Sequence, residues 1–145
     1  SVPMVDGLSL GAGYAMLANA HNATANSDDE DDHEGTLYAK YSVGALSVGA
    51  QRGVVSQPGA NDLSFDTQYL GISYAVSDNL SVSYNEIESE KSQEGTFVEQ
   101  DMDSISISYT MGGMTIGLVD AEADNAAYTV GKTQSARSVS LSVAF

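Results

Sequence analysis

The last eight residues, Ser138-Val-Ser-Leu-Ser-Val-Ala-Phe145, alternate between small, mostly polar side chains and apolar ones. In a β-strand, successive side chains point to opposite faces, so a period of two separates the two kinds of residue. The apolar face of this strand carries Val139, Leu141, Val143 and Phe145. The stretch therefore predicts a strand with lipid or core on one side and a small, polar surface on the other.

The same alternation recurs through the chain and predicts seven further strands. They cover residues 8–16, 37–43, 46–51, 69–76, 80–85, 104–111 and 114–119. Short turns at 44–45, 77–79 and 112–113 alternate with long polar loops at about 19–35, 53–66, 86–101 and 120–136. This order is typical of an up-and-down barrel with its short turns at one rim. We predict an all-β, antiparallel transmembrane β-barrel fold, with residues 1–145 forming one domain.

Composition excludes several classes of protein. The chain carries 20 acidic and 5 basic side chains, for a net charge of −15, which argues against binding nucleic acid. No run approaches the roughly 18 apolar residues that a membrane-spanning helix needs. There is no cysteine, and hence no disulfide framework or thiolate metal site.

Charged and aromatic residues are placed as a membrane barrel requires. Eighteen of the 20 acids fall in or beside the four predicted long loops, and Lys40 is the only charge inside a predicted strand. Lys40 has the parity of the small polar face, and on the other face a lysine near mid-membrane would cost roughly 2–4 kcal/mol. Aromatic residues of the apolar parity lie near the short turns and predict an interfacial girdle: Tyr41, Tyr74, Tyr109 and Phe145.

The terminal strand, ending on an aromatic residue, resembles the assembly signal of Gram-negative outer-membrane proteins, with Val139, Leu141, Val143 and Phe145 as the signal residues. The hairpins over residues 69–84 and 105–118 resemble those of general porins of the alphaproteobacterial, Rhodobacter-like type. This resemblance implies a sixteen-stranded barrel in the outer membrane, recognised by the barrel assembly machinery and forming a homotrimer. It also implies that the eight strands here are the second half of such a barrel. The family's constriction loop and its pore arginines have no counterpart in this chain.

Two architectures remain open. A closed barrel of eight strands has an interior that side chains should fill, whereas the polar parity here is mostly Ser, Gly, Ala and Thr. Such small side chains would leave a void, while a wide, water-filled lumen would satisfy each hydroxyl. The favoured prediction is therefore half of a porin. The alternative is a complete eight-stranded barrel with a structural or surface-binding role.

The candidate functional residues are those whose parity and polarity suit a lumen wall. They are Tyr38, Lys40, Gln51, Tyr69 and Asn85. No catalytic, cofactor or metal residues are predicted. The run Asp28–Glu34 is interpreted as a solvated loop, with weak divalent-cation binding and bridging to lipopolysaccharide phosphates as the lesser alternative. The carboxylates of residues 86–103 are interpreted as a loop whose collective field concentrates cations, and glycoside hydrolysis by paired carboxylates is the disfavoured alternative. His21 and His33 have no nucleophile nearby and are interpreted as loop residues.

The predicted function is passive diffusion of small hydrophilic solutes and ions through an outer-membrane channel. The carboxylates near the predicted mouth favour cations. An enzyme with a site in the loops is the least favoured hypothesis, because no nucleophile and base are found together.

Overall fold

The computed structural model describes residues 5–18, 31–58 and 62–144. It contains one antiparallel sheet of eight strands whose spatial order follows the chain order. The strands are β1 (Leu8–Leu17), β2 (Asp32–Val43), β3 (Leu46–Gln57), β4 (Leu63–Ala75), β5 (Leu80–Gln93), β6 (Thr96–Met111), β7 (Met114–Asp124) and β8 (Gln134–Val143). Within the described residues β1 and β8 each pair on one side only, so the sheet is open. The predicted all-β, up-and-down order is confirmed.

All seven strand pairs run one to one, with no extra residue on either strand of any pair. An unbulged register fixes the face of every strand residue once one pair is known. We call one side the leucine face, because it carries Leu10, Leu37, Leu70, Leu118 and Leu141. We call the other side the serine face, because it carries Ser9, Ser42, Ser73, Ser106 and Ser140.

The apolar band on the leucine face crosses the hydrogen-bonded rows obliquely. One row joins Leu8 on β1 to Arg137 on β8 through directly paired residues. On β1 the middle of the apolar stretch lies about four residues from this row, in the direction of the β1–β2 connection. On β8 it lies about four residues from the row in the opposite direction, towards the short turns. At about 3.3 Å per residue and 4.8 Å between strands, this drift equals a strand tilt of roughly 40°. Membrane barrels tilt their strands by a similar angle.

The strands are longer than the sequence predicted. Two predicted loops, at 53–66 and 86–101, lie mostly in strands, and the one at 120–136 lies partly in strands; β5 and β6 are joined by the two residues Glu94 and Gly95. The prediction of strictly alternating long and short connections is therefore wrong at the β5–β6 hairpin. Lys40 is likewise not the only charge within a strand.

The reason for the missed strand ends in β4–β7 is a reversal of polarity along each of these strands. At the end of the sheet opposite the short turns, which we call the loop end, β4–β7 place carboxylates on the leucine face. Apolar residues such as Phe65, Ile87 and Met102 lie there on the serine face. The alternation with a period of two continues, but the apolar residues move to the opposite face. A search for apolar residues on one face therefore ends each predicted strand too early.

The isolated sheet has almost no buried core. Only Ala126 and Ser89 are buried among the described residues, at 3% and 4% exposure, and large apolar side chains of the leucine face are exposed. Tyr41, Tyr74 and Tyr109 share that face near the short turns, as predicted for a girdle. Phe145 lies outside the described residues. In the described part of the chain, no helix is long and apolar enough to cross a bilayer.

The two faces predict opposite responses to a new charge. In the full-length protein, Ile72→Arg places a guanidinium in the middle of the apolar band and is expected to lower the free energy of unfolding by roughly 2–4 kcal/mol. Ser73→Arg, one residue along on the serine face, is the matched control and should cost much less. Urea unfolding in lipid vesicles measures both. Equal losses would contradict the assignment of faces.

Candidate functional site

The five residues predicted to line a lumen lie together on the serine face. Tyr38, Gln51 and Tyr69 are directly paired neighbours in one row across β2, β3 and β4. The next row towards the short turns runs from Lys40 to Asn85, with Gly49 and Gly71 between them. The register thus brings together residues that are up to 47 positions apart in the sequence.

These side chains surround one shallow cavity of about 470 Å³. All five predicted residues contribute to its lining, together with Gly49, Gly71 and several serines. The two glycines form the floor between Lys40 and Asn85, because they carry no side chain to fill it. The cavity therefore offers a cation, two amides and two phenol hydroxyl groups around an open centre.

Tyr38 is held flat against the wall by a glycine on the neighbouring strand. It pairs directly with Gly11 on β1. A Cβ atom added at Gly11 would lie 2.2 Å from Tyr38 Cε1. The ring thus occupies the space that a side chain at position 11 would need, and this contact fixes its position beside the cavity.

The polar groups around the cavity differ in how they are paired. Gln51 Nε2 donates to Thr36 Oγ1 at 3.2 Å, and Asn85 Nδ2 donates to Ser104 Oγ at 3.4 Å. The ammonium of Lys40 has no hydrogen bond or ion pair among the described residues. It is thus available to an anionic or hydroxylated solute.

The carboxylates that β4–β7 carry at the loop end lie on the leucine face. They are Asp66, Glu86, Glu88, Glu90, Glu99, Asp101, Asp103, Asp120, Glu122 and Asp124. The carboxylates between residues 86 and 101 were predicted to lie in a loop. That prediction is wrong, because β5 and β6 extend through most of this range. Several are directly opposed across strands, as in the row Glu88, Asp101 and Asp124. Like charges directly opposite each other destabilise a sheet.

Two arginines mark the border between the apolar band and the acidic region. Arg52 Nε donates to Asp66 Oδ1 at 3.0 Å, and Arg137 Nε donates to Asp120 Oδ2 at 2.8 Å. A third contact at this border is the hydrogen bond that the Tyr84 hydroxyl donates to Asp103. Both arginines lie on the leucine face, so these ion pairs are outside the cavity.

The histidine and metal predictions fall at the loop end. The interpretation of His33 as a loop residue is wrong, because it lies in β2. Its Nδ1 shares a hydrogen bond of 2.8 Å with the Tyr14 hydroxyl, and the two rings stack. His21 and residues 28–30 lie outside the described residues. In the described ranges, no group of three His, Asp or Glu side chains is arranged to hold a metal ion.

Sequence reasoning missed a contact made by the segment 125–133, which joins β7 to β8. Tyr128 in this segment packs on Phe65, with ring centroids 5.5 Å apart, and shares a hydrogen bond of 2.8 Å with Ser89. Both partners lie on the serine face. The switch of apolar residues to that face at Phe65 and Ile87 is the signal that could have revealed a covered surface.

The predicted assembly-signal residues lie on β8. Val139, Leu141 and Val143 are on the leucine face and are exposed, at 74%, 66% and 50%. Phe145 lies outside the described residues, so its face is not assigned.

Comparison with known proteins relates this geometry to a family. The model of the Gram-negative porin family matches residues 1–145. The fold is similar to the outer-membrane expressed OmpT of Vibrio cholerae, with a TM-score of 0.65 over 95% of this chain. The identity is 10% and the match covers 50% of that chain, so the chain spans half the length of this structure. No curated protein matched. The expected alphaproteobacterial, Rhodobacter-like type is not singled out by either match.

The opposed carboxylates predict a gain in stability on neutralisation. In the full-length protein, Asp101→Asn removes one charge between Glu88 and Asp124 and is expected to raise the free energy of unfolding by about 0.5 kcal/mol. Asp66→Asn is the control, because this carboxylate is paired with Arg52 and its loss should bring no gain. Urea unfolding in vesicles at low salt measures both. An unchanged or lowered stability of Asp101→Asn would contradict the repulsion.

Proposed function

Since the chain belongs to the Gram-negative porin family, we propose that it forms part of the wall of a water-filled channel in the outer membrane. Small hydrophilic solutes and ions would diffuse through the channel passively. The proposal involves no catalytic step and no cofactor. It assigns the serine face to the lumen and the apolar band of the leucine face to lipid.

One observation carries this proposal: the serine face has small polar side chains and, within the described residues, no packed layer over the end that holds the short turns. Among the described residues only Ser89 and Ala126 are buried, and both are at the loop end. A row of hydroxyls cannot face lipid, because unpaired polar groups there are costly. Water satisfies them without any protein partner. A channel wall requires one hydrated face and one apolar face, and the serine and leucine faces meet these two requirements.

The channel is proposed to include strands beyond these eight. Closing this sheet on itself would leave an interior that small side chains cannot fill at the usual packing density of about 0.74. Additional strands would instead pair with the free edges of β1 and β8 and widen the lumen. The half-length match to a longer barrel supports this arrangement.

Assembly and location are parts of the same proposal. We propose that the last strand, with Val139, Leu141, Val143 and Phe145, is read by the barrel assembly machinery, and that the full-length protein is a homotrimer. Contacts with outer-membrane lipid and lipopolysaccharide would lie on the leucine face. The carboxylates at its loop end would be at the height of the lipopolysaccharide headgroups, where weak binding of divalent cations is proposed.

The proposed cation preference has to arise from the rim rather than from the wall. On the described strands the serine face carries two cations and two carboxylates, namely Lys40, Lys91, Asp32 and Glu34. The numerous carboxylates of β4–β7 lie on the other face, about one wall thickness from the lumen. Their field reaches the mouth only while the Debye length is comparable to that thickness, about 10 Å at 0.1 M salt.

A salt-dependent selectivity follows from this geometry. The full-length protein in planar bilayers is expected to conduct, with a reversal potential that shows cation preference in a 0.1 M gradient. The preference should largely vanish near 1 M salt, where the Debye length is about 3 Å. Absence of any channel would overturn the proposed function. Anion preference at low salt would overturn only the proposed selectivity.

Lys40 provides a test of which face is the lumen. Lys40→Gln removes a cation from the serine face and should shift the reversal potential further towards cations. Arg52→Gln removes the same charge from the leucine face and is the matched control, with a much smaller expected shift. Reversal potentials at low salt measure both variants. A larger effect at Arg52 would reverse the assignment of faces.

A further inference from the structure

The segment 125–133 folds across the serine face instead of extending away from the end of the sheet. It leaves β7, yet Tyr128 reaches Phe65 on β4 and Ser89 on β5. At about 4.8 Å between strands, the distance from β7 to β4 is about 14 Å. The segment therefore lies over the loop end of four neighbouring strands.

The side chains beneath the segment show that it packs against this face. Ser89 is 4% exposed and also shares a hydrogen bond of 2.7 Å with Thr67, which continues the contact from Tyr128 to β4. Gln100 Oε1, on the serine face of β6, accepts from the amide of Ala127 at 2.8 Å. These contacts involve three successive strands and place the segment firmly on one side of the sheet.

The segment is also fixed internally. Asn125 Oδ1 accepts from the amide of Gly131 at 2.8 Å, and Asn125 Nδ2 donates to the carbonyl of Glu99 at 2.9 Å. The amide of Ala126 donates to the carbonyl of Lys132 at 2.8 Å, which closes the segment into a loop with Ala126 buried at 3% exposure. These bonds make it a fixed element of the wall.

The polarity of the strands supports this placement. At the loop end the serine face changes from small polar residues to Phe65, Ile87, Val98 and Met102. Apolar side chains on a face that otherwise meets water indicate a surface covered by protein. The carboxylates on the opposite face, which the segment does not cover, fit an exposed surface.

From these contacts we infer that segment 125–133 is an inward-folded constriction at the outer mouth of the channel. Tyr128 is the positioning residue that holds this constriction against the wall. This inference rests on the proposed function, because it takes the serine face as the lumen wall. The segment narrows the mouth by its own thickness, and the Tyr128 ring, half-buried against Phe65, holds it there. The solutes selected would be hydrophilic molecules distinguished by size rather than charge.

The inference predicts a wider channel when Tyr128 is truncated. Liposomes containing the full-length protein with Tyr128→Ala are expected to swell faster in large sugars and to show a higher single-channel conductance than wild type. Val130→Ala is the control, because Val130 is in the same segment and its side chain is 78% exposed. Conductance and size limit equal to wild type in Tyr128→Ala would overturn the inference.

A second measurement reads the position of the segment without relying on transport. Hydrogen exchange of the full-length wild-type protein should show protected amides at Ala126, Ala127 and Gly131. Protection of the Ala127 amide should be lost in Gln100→Ala, which removes its acceptor, while Ala126 and Gly131 keep acceptors within the segment. Fast exchange in the wild type would overturn the inference even if the channel conducts. Protected amides in a protein that conducts nothing would overturn the proposed function. The packed segment would then be a structural cap, and the inference of a size-selecting role would be overturned as well.

Discussion

The ladder of backbone hydrogen bonds from β1 to β8 is the constraint on which the structure depends. Each of the seven pairings is one to one, so the face of every strand residue follows from its position in the chain. In the proposed membrane setting, lipid would enforce this ladder, because an unpaired amide or carbonyl has no water to bond with there. The apolar band, the serine cavity and the outward carboxylates are all consequences of the same register.

The sequence was sufficient to predict the strands where they cross the apolar band. Side chains such as Leu70, Ile72 and Tyr74 alternate with Gly71 and Ser73, so parity alone identified both faces. It was also sufficient to group Tyr38, Lys40, Gln51, Tyr69 and Asn85 on one face. That this face borders water in a lumen remains a proposal, because the register shows which residues share a side and not what lies beyond it.

The strand ends could not be predicted by the same rule, because the environment of each face changes along the strand. Towards the loop end the leucine face carries Glu86 and Glu88, while Ile87 between them lies on the serine face. When apolar residues are searched for on one face only, a strand whose apolar residues move to the other face resembles a polar loop. A search for alternation with apolar residues on either face would have extended the predicted strands at β5 and β6.

The course of segment 125–133 had no comparable signal. It depends on left-handed backbone at Asn125, Ala127 and Tyr128, with φ of 49°, 55° and 54°. Such conformations cost non-glycine residues of order 1–3 kcal/mol each and persist only where surrounding contacts impose them. Those contacts, at Phe65, Ser89 and Gln100, come from three strands distant in sequence. A local sequence pattern does not contain that information.

The unbulged register also limits how such a chain can change in length over evolution. An insertion of one residue within β4 would move every later side chain of that strand to the opposite face, exchanging hydroxyls with leucines in the membrane. Two inserted residues return each later side chain to its original face but displace it along the strand relative to the neighbouring strands. Length variants among descendants of this sequence should therefore accumulate in the connections, and those within strands should come in even numbers.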